Sequence, residues 1–128
     1  MNKENFKMMI DAVEMLKEKC MGKTLTEWVE ECHEIAKAHG WHEKEVPFPE
    51  TVVMCHSELS EAIDSYRKGE KAVWLDGEKP EGWAVEMADC VIRIFDWAGE
   101  NGIDLDEIIR IKCEYNKTRT WRHNGKLI

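Results

Sequence analysis

The segment from Trp83 to Trp97 constrains the fold more than any other part of the chain. Val85, Met87, Ala88, Val91, Ile92, Ile94 and Phe95 spread apolar surface round most of a helix. A helix that is apolar nearly all round belongs inside a protein, so this one is expected to be buried. One stripe interrupts the apolar surface: Glu86, Asp89, Arg93 and Asp96. Carboxylates on a buried helix are costly unless they are paired with cations or bound to metal. Arg93 can neutralise part of the stripe as a structural ion pair. A metal site is the other way to neutralise it.

Helical periodicity dominates the remainder, and no stretch alternates well enough to predict a strand. A first helix is expected from Lys3 to Cys20, with Phe6, Ile10, Val13 and Leu16 on one face and Gly22 ending it. A second starts at Thr24, where Thr24-x-x-Glu27 fits a capping box, and runs through Trp28, Cys32 and Ile35 to about His39. Trp41 to Phe48 reads as a loop, punctuated by Pro47 and Pro49. The third helix begins near Pro49 or Glu50 and ends before Gly69, with an apolar stripe of Val52, Cys55, Leu59, Ala62, Ile63 and Tyr66. Gly69 to Lys79 reads as a connecting loop holding Trp74, and Pro80 suits the first turn of a fourth helix, which runs to about Glu100. After Asn101-Gly102, Asp104-x-x-Glu107 opens a fifth helix to about Arg119. Residues 120–128 form a basic tail. The expectation is a single all-α domain over 1–128, a bundle of about five helices with its core over 24–119.

Charge and cysteine usage exclude several classes. The net charge of −8 argues against nucleic-acid binding as a main role, because phosphate backbones want basic surfaces. An acidic protein can still bind a small polyphosphate if metal ions reverse the local field. No apolar run approaches a membrane span, and the N-terminal segment carries acidic residues inside its apolar pattern, unlike a signal peptide. Cys20, Cys32, Cys55, Cys90 and Cys113 are odd in number and scattered, without a CxxC. That pattern suits buried free thiols and a reducing cytoplasm, not a disulfide framework. His33, His39, His42, His56 and His123 are available for a Cys/His zinc site, but no standard zinc spacing occurs.

Two carboxylate pairs carry the chemistry: Glu58-x-x-Glu61 on the third helix and Glu86-x-x-Asp89 on the fourth. Residues three apart project from one side of a helix. Glu58 and Glu61 share a stripe with Met54 and Ser65, away from the Val52/Leu59/Ile63 face, and alone they read as a solvated face. If the two helices pack with these stripes facing, four carboxylates converge. They cannot all stay ionised unless cations sit between them. Hard divalent cations such as Mg²⁺ take oxygen ligands of this kind and often bridge to substrate phosphates. On the fifth helix Lys112, Asn116 and Arg119 share one face, and Arg122, His123 and Lys126 follow in the tail. Cations there complement the helix dipole, or they clamp phosphates opposite the metals.

Together these residues resemble the MazG-like all-α nucleoside triphosphate pyrophosphohydrolases. The resemblance rests on Glu58-Leu59-Ser60-Glu61 within HSELSEAIDSYRKGE and on Glu86-Met87-Ala88-Asp89 within KPEGWAVEMADCVIRIFDWAGENGIDL. KCEYNKTRTWRHNGK is similar to the C-terminal Lys/Asn/Arg stretch of that family, though His123-Asn124-Gly125-Lys126 departs from its His-Gly-Gly-Lys pattern. The likeness covers roughly Trp28 to Lys126. It implies a bundle completed by dimerisation, sometimes doubled to a tetramer, and Mg²⁺ held by Glu58, Glu61, Glu86 and Asp89. It implies hydrolysis of an NTP or dNTP to the monophosphate and pyrophosphate, with Lys112, Asn116 and Arg119 holding phosphates. Glu61, with Glu58 beside it, is the expected catalytic carboxylate. Trp41 is the first expectation for stacking on the base, with His33 beside it and Trp74 second; core or interface anchoring is the other role open to these tryptophans. Two further readings stand beside this one: a non-enzymatic acidic helical interaction module, and a phosphoribosyl-nucleotide pyrophosphohydrolase on the same helical plan.

Overall fold

Local caps set the helix starts. Thr24 Oγ1 accepts from Glu27 N–H at 3.2 Å while a Glu27 carboxylate oxygen accepts from Thr24 N–H at 2.7 Å, closing the capping box the sequence announces. Asp104 likewise caps through its carboxylate to Glu107 N–H at 3.0 Å. The computed structural model describes residues 3–20 and 22–125. The side chains of Phe6, Cys20 and His123, and the whole of Lys126, lie outside the described residues. The order is α1 (Lys3–Cys20), α2 (Leu25–Ala38), α3 (Phe48–Arg67), β1 (Trp74–Asp76), β2 (Lys79–Glu81), α4 (Trp83–Glu100), α5 (Leu105–Lys117) and a final single turn, α6 (Arg122–Gly125). The fold is thus mostly helical, as expected.

The segment between α3 and α4 differs from its expected form. β1 and β2 pair antiparallel, with Trp74 opposite Glu81, Leu75 opposite Pro80 and Asp76 opposite Lys79. Gly77 (φ 63°) supplies the positive φ that a two-residue hairpin loop needs. Pro80 therefore sits in a strand and not in the first turn of α4. A two-stranded ribbon has only edge strands, which tolerate a residue lacking N–H. The helix starts three residues later, after Gly82. This glycine has φ 117°, and a Cβ there would stand 2.5 Å from the Lys71 carbonyl oxygen and 2.6 Å from that of Ala72. Ala84 N–H bonds to Ala72 O at 3.0 Å, so the hairpin base is stitched against the start of α4.

Helix α4 lies between α2 and α3, the two elements it packs against most extensively. The side chains that meet there are small: Val29 and Cys32 from α2, Cys55, Ala62 and Ser65 from α3, and Cys90 and Ala98 from α4 are all buried. Small residues let helices approach closely, and a helical glycine extends the same logic. A Cβ on Gly99 would meet the His33 Cβ at 2.6 Å. Cys32, Cys55 and Cys90 are free buried thiols, while Cys113 is free and exposed.

Two apolar faces expected in the core turn outward in the single chain. On α3 the inward face is Cys55, Glu58, Ala62 and Ser65, whereas Leu59, Ile63 and Tyr66 are exposed, the last two by 60 % and 68 %. The reading of Glu58 as part of a solvated face is thereby corrected. On α4, Met87, Val91 and Ile94 face outward, so this helix is not enclosed all round. Helix α1 makes no extensive packing against another element among the described residues, and its Ile10, Val13 and Leu16 are exposed.

Candidate metal centre and adjoining cleft

The close approach of α3 and α4 brings the two carboxylate pairs together. Carboxylate oxygens of Glu58, Glu61 and Glu86 lie within 4.8 Å of one another. Glu58 is 7 % exposed, Glu86 and Asp89 are half-buried, and Glu61 is open to solvent. Asp89 stands about one turn beyond Glu86, outside this closest group of three. One turn further, Arg93 donates from Nε to Glu58 Oε1 at 2.6 Å. The ion pair expected of Arg93 is present, and it satisfies Glu58 alone among the four.

The electrostatics follow from burial and from the crowding of carboxylates. Burial first, then the neighbouring Glu61, Asp89 and Glu58 carboxylates, push Glu86 up from 4.5 to about 7. Asp89 is also raised, by burial and then by Glu58, with Arg93 opposing the rise. Crowded carboxylates compete for the right to ionise, and a nearby cation ends the competition. The donor set is all oxygen, carried on two rigid helices, which is the chemistry that Mg²⁺ or Mn²⁺ prefers.

A cleft of about 430 Å³ reaches this centre at Glu58 and Asp89, while Glu61 and Glu86 lie outside its lining. Glu58, Asp89 and Arg93 line one end, and Trp41, His42 and Asp96 line the other. Its size falls within the range of small-molecule sites. Trp41 is 65 % exposed and stands at the mouth, presented by the turn that follows α2. Gly40 (φ 81°) makes that turn, and Trp41 N–H returns to Ala36 O at 3.1 Å. Of the other expected base readers, His33 does not line the cleft but hydrogen-bonds through Nδ1 to Asp96 Oδ1 at 2.9 Å. Trp74 sits on the hairpin, also outside the cleft lining.

The expected phosphate clamp lies elsewhere in the chain. Lys112, Asn116 and Arg119 do stand together: Lys112 Nζ lies 4.9 Å and Arg119 Cζ 5.9 Å from the Tyr115 ring centre, and Arg119 N–H bonds to Asn116 O. However, among the described residues α5 packs chiefly on α2, and none of the three lines the cleft. The single chain does not bring them to the carboxylates.

A group of imidazoles and carboxylates gathers at the far end of the cleft. His42 and Glu100 join His33 and Asp96 there. Glu100 continues the α4 stripe one turn past Asp96, a signal the sequence does contain; nothing local marks His42. No family model, curated protein or solved structure matches this chain. Among the described residues no helix is long and apolar enough to cross a membrane.

Proposed function

We propose that this protein is a divalent-cation-dependent hydrolase that cleaves a nucleoside triphosphate to the monophosphate and pyrophosphate. One observation carries the reading: Glu58, Glu61 and Glu86 converge within 4.8 Å, and Glu58 and Asp89 line the end of a ligand-sized cleft. The residues fit a hard cation, because among the described residues their one bonded positive partner is the Arg93 guanidinium on Glu58, and burial together with the neighbouring carboxylates holds Glu86 near 7. Glu58, Glu61, Glu86 and Asp89 would hold Mg²⁺, which when bound supplies charge neutralisation for the triphosphate and acidifies water.

The chain's own groups divide the remaining work. Glu61 is the solvent-open member of the cluster, placed to accept a proton from the attacking water as that water adds to phosphorus in line. Arg93 keeps Glu58 in a fixed orientation through its short Nε–Oε1 bond. Trp41, at the mouth of the cleft, offers a flat face to the base. Lys112, Asn116 and Arg119 would contact the departing pyrophosphate from a second copy of the chain. The outward apolar residues Ile63, Tyr66, Met87 and Val91 support such self-association, since exposed apolar patches mark interaction surfaces. We assign the active form to a homodimer or homotetramer on that basis.

The direct test is to incubate the protein with Mg²⁺ and a mixed panel of ribo- and deoxyribonucleoside triphosphates and to resolve the products by ion-exchange chromatography. Monophosphate and pyrophosphate in equal amounts are expected. Diphosphate with inorganic phosphate, or no turnover of any nucleotide, would refute the proposal.

A further inference from the structure

A second group of metal-binding side chains stands at the other end of the cleft, and its chemistry differs. His33 Nδ1 and His42 Nε2 point at the same oxygen, Asp96 Oδ1, at 2.9 and 2.7 Å. These three ligand atoms lie within 4.8 Å of one another. The opposite nitrogens of the same rings, His33 Nε2 and His42 Nδ1, both face Glu100 Oε2, at 3.3 and 3.5 Å. The rings meet edge to face, with centres 4.9 Å apart. Both imidazoles are nearly enclosed, with 12 % and 11 % of their side-chain surface exposed.

That arrangement poses a proton problem. A neutral imidazole has one N–H and one lone pair. Each ring here has a carboxylate at both nitrogens, so each neutral ring must aim a lone pair at an anion. With both carboxylates ionised, two solutions exist. Both rings can be imidazolium, or a cation can take the two lone pairs and the Asp96 oxygen on one side while both N–H groups point at Glu100 on the other. The second solution reproduces the pattern of metal-bound histidines, whose outer N–H is characteristically held by a carboxylate.

The backbone is built to admit this group. His33 comes from α2, His42 from the turn after it, and Asp96 and Glu100 from one face of α4. The His33 ring lies over Gly99, where a Cβ would come within 2.8 Å of the His33 Cγ. Glycine inside a helix costs about 1 kcal/mol relative to alanine. It stands where a side chain would displace the imidazole.

We propose that His33, His42 and Asp96 form a binding site for a borderline divalent metal such as Zn²⁺, with Glu100 orienting both rings. Two nitrogens and one oxygen suit Zn²⁺, whose sites are tetrahedral with bonds of about 2.0–2.1 Å, and two of the three ligands, His42 and Asp96, line the cleft. The site is separate from the oxygen-only centre: Asp96 stands seven residues from Asp89 on α4, roughly 10 Å along the axis, with Arg93 between them. A metal here would tie the Trp41–His42 turn to α4 and so fix the wall of the cleft.

The test uses the full chain stripped of metal by chelation. Zn²⁺ is titrated in competition with a chromophoric chelator in the presence of excess Mg²⁺, and Co²⁺ is used separately as a spectroscopic probe. The expected result is one Zn²⁺ per chain, unaffected by Mg²⁺, and an intense tetrahedral Co²⁺ absorption. His42→Ala and Asp96→Asn should each weaken Zn²⁺ binding by about 100-fold or more, the loss expected when a ligand and not merely its support is removed. Glu86→Gln, His39→Ala and Cys113→Ser should bind as the unaltered chain does. Circular dichroism checks each variant, and Asp96→Asn keeps the test decisive if His42→Ala does not fold. Zn²⁺ binding that survives both ligand substitutions, or no competition with the chelator at all, overturns the proposal and leaves two imidazolium rings as the account of the geometry. Because Zn²⁺ occupancy is read without nucleotide, its failure is distinguishable from failure of the hydrolase reading.

Discussion

Glu86→Gln should make the metal-free protein more stable while disabling its cation site. In the folded chain Glu86 is raised from 4.5 to about 7 by burial and by Glu61, Asp89 and Glu58. Its folded form therefore binds a proton more tightly than its unfolded form, and stability falls as pH rises between those two values. Below about 4.5 Glu86 contributes no penalty; above about 7 the penalty is complete. At about 1.4 kcal/mol per pH unit the gap sets a ceiling near 3 kcal/mol, and solvent at this half-open position reduces it to ~1–2 kcal/mol. Glutamine keeps the shape and removes the charge, so Glu86→Gln should gain that amount at pH 8, or roughly 4–8 °C in Tm for a domain of this size. The assay is thermal denaturation followed by circular dichroism, at one protein concentration, in chelator, at pH 8 and again at pH 4.5. The gain should appear at pH 8 and vanish at pH 4.5. Adding Mg²⁺ at pH 8 should reverse the order, stabilising the unaltered chain and leaving the variant unchanged. Equal or lower stability of the variant at pH 8, or the same gain at both pH values, would refute the crowding argument.

Three other outcomes follow from the geometry. Trp41→Ala should raise KM for nucleotide by about tenfold or more with little change in kcat, since stacking on a base is worth ~1–3 kcal/mol and binds ground and transition states alike; steady-state kinetics reads the split. Gly82→Ala should destabilise the chain by ~2–4 kcal/mol in chemical denaturation, because its φ of 117° and the Lys71 carbonyl oxygen 2.5 Å from a Cβ leave no room to relax. Val91→Asp places a charge on an outward apolar face of α4, which is 45 % exposed in the single chain. It should leave helicity intact and shift the protein to monomer in light scattering.

The fold was legible where local chemistry decides it. The Thr24–Glu27 box and the Asp104 cap are sequence-local bonds, and both helix starts fall where those residues place them. The hairpin was harder to see because its strands are three residues long, too short for alternation to register. The loop residues Gly77-Glu78 are the local signal, and Pro80 suits a helix start as well as an edge strand. The inward face of α3 was misjudged for a tertiary reason. Periodicity marks the apolar side, but α4 comes in on the side with the smallest residues, Cys55, Ala62 and Ser65, and carries Glu58 inward with them. The carboxylate pairing itself was legible because each pair has helical spacing. The imidazole pair was not, since His33 and His42 are joined only when the turn through Gly40 folds back toward α4.

The central claim is that the four carboxylates on α3 and α4 form a site for a hard divalent cation. Mn²⁺ titration followed by electron paramagnetic resonance tests it most directly, because free Mn²⁺ gives a signal that binding removes. With the imidazole site filled by Zn²⁺ beforehand, the unaltered chain should still take up Mn²⁺ saturably, and Mg²⁺ should displace it. Glu58→Gln and Glu86→Gln should each abolish that uptake. Mn²⁺ uptake that is absent from the unaltered chain, or undiminished in both variants, would contradict the account.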